Sequence, residues 1–220
     1  MKTTNRMFVG GCMVVLVAAL AACNSTKGYD RAGATVATME QLSEELATGK
    51  TQMDTVMDTL GKIQETAETD PRPAFQEFTK AISALESTAS RARSRADSLR
   101  NQTTAHYETW EKELMTMGSG DLKDQAKGRL EKARERFGKL DESLRAVGEA
   151  YDPVMAEVKD LRTYLENDMN PSGIKSASST IKKLGTSGDS LKKKADAAIA
   201  EIEEITSAVN PKQGELPTEK

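Results

Sequence analysis

Reactive side chains are scarce enough in this chain to judge one by one: it has two cysteines and one histidine. Cys23 closes the run Leu20-Ala21-Ala22-Cys23, which follows an apolar stretch over residues 7–19 and a basic start carrying Lys2 and Arg6. A charged front, a short apolar middle and small residues before a cleavage point make a removable secretory address, since a membrane-spanning helix needs about 20 apolar residues. With cysteine directly after the small residues, the run reads as a lipobox. The chemistry expected is thioether formation between the Cys23 sulfur and a diacylglyceryl group, cleavage ahead of Cys23, and acylation of the freed amine, with palmitate-type chains. Each buried methylene contributes about 0.8 kcal/mol and one chain alone anchors weakly, so three chains would hold the protein on its membrane essentially permanently. Asn24 stands second in the mature chain. An Asp there commonly retains Gram-negative lipoproteins in the inner membrane, so the expected location is the periplasmic face of the outer membrane.

His106 has no obvious chemistry of its own. Di-metal helical bundles pair histidine with a glutamate three residues earlier, and Thr103 stands there instead. The expected role is a polar layer in a helix seam, with no metal and no cofactor. Two basic runs, Arg91-Ala92-Arg93-Ser94-Arg95 and Lys192-Lys193-Lys194, could contact phosphate head groups or an acidic partner. Such runs are more often solvated helix faces, and Asp97, Asp189 and Asp196 dilute these. Arg91, Arg93, Arg95, Lys192, Lys193 and Lys194 are therefore carried forward as a candidate interaction surface. Gly118-Ser119-Gly120 lacks the Gly-Lys-Ser/Thr that would make it a phosphate loop, and no Gly-x-Ser-x-Gly is present. No catalytic residue is assigned and an enzyme is not expected.

Losing residues 1–22 would remove Lys2, Arg6 and Cys12, taking the formal net charge from -3 to -5 and leaving no free thiol. Mild acidity disfavours a nucleic-acid partner. Stability then depends on packing rather than on disulfides, although the compartment would allow them. Aromatic residues make up only 4 percent of the chain, which argues for long narrow helices meeting along a seam rather than a thick core.

The spacing predicts four such helices. After a polar tether over residues 23–31, apolar residues recur every seven from Met39 through Leu46, Met53 and Leu60 to Ala67. Asp70-Pro71-Arg72-Pro73 should stop this helix, because proline lacks a donor and disfavours helix in the preceding residue. The second seam runs Phe78, Ile82, Leu85, Ala89, Ala92, Ala96, Leu99, Thr103, His106 and Trp110. A turn at Gly118-Ser119-Gly120 follows, with Asp121 expected as the next N-cap. The third seam runs from Leu130 through Phe137, Leu140, Leu144, Tyr151, Val154 and Leu161 to Leu165, with Pro153 inside it. Pro153 either bends one helix or, with Asp152 as cap, begins another. Asn170-Pro171-Ser172-Gly173 makes the last reversal. Ile174, Ser178, Ile181, Gly188, Ala195, Ile202, Ile205 and Val209 mark a looser fourth helix, and residues 210–220 are expected to be a disordered tail.

Similar lengths and short turns predict an all-α, up-down-up-down antiparallel bundle over residues 32–209, coiled-coil-like and about 55 to 65 Å long. Residues 30–70 carry nine acids against three bases, and residues 171–200 six bases against two acids, which favours adjacency of the first and last helices.

Several stretches resemble a family of uncharacterised Gram-negative envelope proteins classed as a domain of unknown function. They are Trp110-Glu111-Lys112-Glu113-Leu114, Arg134-Glu135-Arg136-Phe137, Pro153-Val154-Met155 and Leu165-Glu166-Asn167-Asp168-Met169-Asn170. The likeness covers most of residues 29–208 and is best over residues 107–174. It implies a helical lipoprotein or envelope protein and brings no activity or site residue with it. The expected function is a membrane-anchored periplasmic lipoprotein acting as a structural or protein-interaction module through long helical faces. The alternative is a carrier or sensor holding a lipid, peptide or small ligand between helices, for which a pocket of several hundred Å³ would speak. Expected partners are the bilayer through acylated Cys23 and an envelope protein, with self-association left open and nucleic acid excluded.

Overall fold

The computed structural model describes residues 28–118 and 120–209; the signal segment 1–22, Cys23, Ser119 and the tail 210–220 lie outside the described residues. Four helices make up the bundle: α1 (Gly28–Glu65), α2 (Arg72–Thr116), α3 (Asp121–Asn167) and α4 (Pro171–Val209). At 38 to 47 residues each they are about 57 to 70 Å long. Each helix packs on its chain neighbours and α4 closes the ring on α1, with α1 and α3, and α2 and α4, diagonally opposite. The polar network fixes the register. Arg31 pairs with Glu113 at 2.8 Å, Arg100 with Asp141, and Lys183 with Glu157 at 3.1 Å. Between α1 and α4, Lys192 pairs with Asp54 in the sense that the charge asymmetry predicts, and Lys50 pairs with Asp196 in the opposite sense. Exposed pairs of this kind contribute only tenths of a kcal/mol, so they select the arrangement more than they stabilise it.

The predicted seams are the core, with adjustments. On α1 the buried residues Met39, Leu42, Leu46, Met53, Val56, Leu60 and Ile63 keep alternating spacings of three and four, with Gly49 in the one small slot. On α4 the buried series is denser than the spacing of seven suggests, because Ala177, Leu184, Leu191 and Ala198 fill the intermediate positions. Among the described residues three apolar clusters result, the smallest of them Leu114, Ala126 and Leu130 at the α2–α3 end. Of the larger two, one joins Phe78, Ile82 and Leu85 to Val158, Leu161, Leu165 and Ile174, and the other joins Leu42 and Leu46 to Leu99, Leu140, Leu144 and Ile202. Between them the helices contribute Gly49, Ala89, Ala92, Gly148 and Ala195, and a cavity of about 100 Å³ remains at this waist.

Helix ends depart from the expected positions for local reasons. α1 begins at Gly28, inside the segment expected as tether, and ends at Glu65, six residues before the first proline. Past Glu65 the amide bonds shorten from four residues to three, Ala67 donating to the Gln64 carbonyl at 3.4 Å and Thr69 to that of Thr66 at 3.0 Å, so the chain turns before it reaches Asp70-Pro71. Ala67 packs on the core from the turn rather than from a helix. Asp121 is not the N-cap of α3. Gly120 holds that position with φ 145°, a conformation that only glycine takes without strain, and its carbonyl accepts from the Lys123 and Asp124 amides. Asp121 and Asp124 occupy the first turn, where the helix dipole favours carboxylates.

α3 runs unbroken through Pro153. Asp152 caps nothing, since Arg93 of α2 takes its carboxylate. A proline inside a helix forgoes one hydrogen bond and crowds the carbonyl four residues back, here that of Glu149, at about 3 kcal/mol. Pro153 itself is exposed, so an alanine there removes this cost without opening a cavity. Pro153→Ala should therefore raise stability by about 1 to 3 kcal/mol. A denaturant titration checks this, and a lower midpoint for the variant would show that the proline helps to start a helix.

Candidate functional site

A helix advances 100° per residue, so residues two apart in a basic run face nearly opposite ways while those four apart share a face. That geometry divides Arg91, Arg93 and Arg95. Arg91 Nε donates to Glu45 of α1 at 2.9 Å, and Arg95 reaches the same carboxylate at 3.5 Å. Arg93 turns the other way, to Asp152 of α3, and lies over the Tyr151 ring with 5.1 Å to its centroid. Hydrogen bonding from Arg91 holds the Glu45 carboxyl below its usual range despite opposing desolvation. Burial, reinforced by Glu86, pushes the Tyr151 phenol up to about 12. Of the lysines, Lys192 is bound between Asp54 and Asp189, while Lys193 and Lys194 are exposed. The two runs sit on diagonally opposite helices, and Arg91, Arg93, Arg95 and Lys192 are ion-paired or hydrogen-bonded to neighbouring helices, so these four also tie the bundle together.

A separate concavity lies at the end of the bundle where α1 begins. The pairs Lys50 with Asp196 and Asp54 with Lys192 set α4 antiparallel to α1 in a register that brings Val209, the last residue of α4, beside Val36. The first two turns of α1 and the end of the α2–α3 hairpin therefore extend past α4. A cavity of about 380 Å³ opens there, walled by Val36, Met39, Tyr107, Trp110, Ile205 and Val209. Aromatic contacts stiffen its α2 side: His106 lies 5.9 Å from Trp110 and Tyr107 packs edge-on against Phe137 at 6.4 Å. The Tyr107 hydroxyl donates to the Ala133 carbonyl at 2.9 Å, fixing α3 to α2.

Polar groups converge on this cavity. Thr103 is one of its lining residues; it is 2 percent exposed, and its hydroxyl oxygen, itself buried, has no hydrogen-bond partner among the described residues. Arg31 Nε donates to His106 Nδ1 at 3.4 Å while its Nη2 reaches Glu113 at 2.8 Å. Accepting at Nδ1 requires a neutral imidazole with its proton on Nε2. Burial, and then the Arg31 charge, depress the His106 pKa below its ordinary value of 6.5. Sequence spacing places His106 and Thr103 in the seam, and both are there. It gives no sign of Arg31 as the partner of His106, because Arg31 falls in the segment expected as tether. Among the described residues, no three of His, Cys, Asp or Glu are grouped as a metal ion would need, and no helix is long and apolar enough to cross a membrane.

The depressed His106 pKa makes stability depend on pH in a defined sense. The unfolded chain takes up a proton near pH 6.5 and the folded chain only at lower pH, so stability falls as pH drops from about 7 through the folded pKa. The contribution of Glu45, whose pKa is also lowered, is lost only below about 4.5. His106→Gln keeps an acceptor for Arg31 and should flatten the dependence between pH 7.5 and 5, as read by urea midpoints. An unchanged slope would show that the histidine is not buried against Arg31.

No curated protein and no solved structure matches the chain. By a match over residues 21–209, which takes in all four helices, the chain belongs to the family described as a protein of unknown function, DUF2959.

Proposed function

We propose that the protein is a lipid-anchored component of the cell envelope, held through acylated Cys23 at the periplasmic face of the outer membrane, and that its bundle serves as a structural or protein-interaction module. The observation that carries this reading is Leu20-Ala21-Ala22-Cys23 at the end of the apolar run, five residues ahead of α1. The family match, which starts at residue 21, takes in Cys23 as well as the bundle. A rigid, ion-paired bundle about 60 Å long on so short a tether suits a post that docks another envelope component along its faces. Cys23→Ser tests the anchor. The variant should leave the detergent phase or accumulate as an uncleaved precursor of higher mass. A Ser variant that still partitions into detergent at the processed mass overturns the reading.

The carrier reading rests on one observation, the 380 Å³ cavity at the open end of the bundle. Its size falls within the range of small-ligand sites. A fluorescent fatty-acid probe should bind the purified protein and be excluded by Val36→Trp, which fills the opening. Equal binding by both proteins would remove this role from the cavity.

A further inference from the structure

The end of the bundle that carries α1's first residue also carries most of the exposed apolar surface. Among the described residues, Met115, Met117 and Leu122 stand 71, 38 and 72 percent exposed, all at the α2–α3 turn. Their exposure is not a loose end. The inward positions of this turn are already filled by Leu114, Ala126 and Leu130, packed under Tyr107 and Trp110. The Met117 amide donates to the Leu114 carbonyl at 3.2 Å, and Lys123 Nζ closes the turn on the Met117 carbonyl at 3.1 Å. Met115 and Leu122 therefore point outward from an ordered tip. Since α1 and α2 are antiparallel and Arg31 pairs with Glu113, Gly28 is level with Thr116, and Met117 and Leu122 stand level with it or slightly beyond.

Cys23 lies five residues before Gly28, a reach of at most about 18 Å even when fully extended. Whatever holds Cys23 must then lie close to the tip. From these positions we infer that the α2–α3 turn is a membrane-contacting tip: Met115, Met117 and Leu122 enter the boundary between head groups and acyl chains of the bilayer that holds Cys23, and the bundle stands end-on. The inference rests on the anchor reading above. Residues 111–124 carry four acids and two bases, so attraction to anionic head groups is not the cause; apolar insertion is. Trp110, one to two turns below Met115, is placed where an aromatic side chain suits the interface.

The test uses the full chain purified from membranes and reconstituted in phosphatidylethanolamine–phosphatidylglycerol vesicles. The single tryptophan is removed by Trp110→Phe and reintroduced by Met115→Trp, Leu122→Trp or, three turns down the exposed face of α2, Ala105→Trp. Acyl-chain-brominated lipid should quench the first two about twofold or more, as insertion to about 5 to 10 Å requires, and leave the third unquenched. Quenching of all three describes a bundle lying flat, and quenching of none describes a tip in water; either overturns the proposal. Mass spectrometry of the Cys23 peptide from the same preparation separates the two claims. An acylated chain with an unquenched tip removes the tip alone, a quenched tip on an unacylated chain removes the anchor alone, and failure of both signals removes both.

Discussion

Leu140→Asp should lower the melting temperature of the bundle by about 10 °C or more, while Lys132→Asp, eight residues earlier on the same helix, should leave it within about 1 °C. Leu140 is 0 percent exposed, in the cluster with Leu42, Leu99, Leu144 and Ile202. An aspartate there loses the burial of a leucine and places a carboxylate where water cannot reach it, at several kcal/mol against a total that is typically only 5 to 15. The bundle is narrow, so the site cannot relax by opening one face without separating two helices. Lys132 is exposed, and an acid there changes little besides surface charge. Leu85→Asp makes the same test in the other cluster, across the waist. Circular dichroism melts of the four proteins check the expectation, and equal midpoints would contradict the seam itself.

Much of this fold is legible because a bundle uses one rule many times. The alternation of three and four along Phe78, Ile82, Leu85 and Leu99, or Leu140, Leu144, Val158 and Leu165, is enforced by burial, and the buried residues follow it. α4 shows where such reading falls short. Ile174, Ala177, Ile181, Leu184, Gly188, Leu191, Ala195, Ala198 and Ile202 alternate just as strictly. The two glycines near its middle suggest a weak helix, yet a Cβ on Gly188 would stand 2.7 Å from Met53 Cε. That glycine is a fitted contact with α1, a tertiary fact that propensity does not carry. Helix ends are less legible still, because local geometry such as the three-residue turns after Glu65 and a positive φ at Gly120 decides them. For the candidate site, composition identifies the arginines but not their partners, since Glu45 and Asp152 lie 46 and 59 residues away from theirs. The open cavity depends on where α4 stops relative to α1, and no single segment encodes that.

Gly173 should prove the least replaceable glycine in the bundle, and comparison with two others shows why. At the α3–α4 reversal the Asn170 side chain caps α4 by accepting from the Gly173 amide at 2.9 Å, with Pro171 at the first helical position, where its missing donor costs nothing. The Tyr164 hydroxyl hydrogen-bonds the Gly173 carbonyl at 3.2 Å, drawing the end of α3 against the start of α4. A Cβ on Gly173 would sit 2.2 Å from the Asp168 carbonyl oxygen, which is backbone and cannot rotate away. Gly173→Ala must therefore displace the turn, losing the cap and the tyrosine contact together, at about 2 to 4 kcal/mol. At Gly188 the obstacle is the mobile end of Met53, so the alanine variant should cost no more than about 1 kcal/mol once its better helix propensity is counted. At exposed Gly138 nothing lies within 4 Å, and alanine should stabilise by about 0.5 to 1 kcal/mol. Urea midpoints should rank the variants Gly138→Ala above wild type, Gly188→Ala near it and Gly173→Ala far below. Amide exchange in the last should quicken first around residues 164–174, where the lost hydrogen bonds lie. A Gly173→Ala protein as stable as wild type would mean that α3 and α4 do not approach each other at Asp168 as closely as 2.2 Å implies.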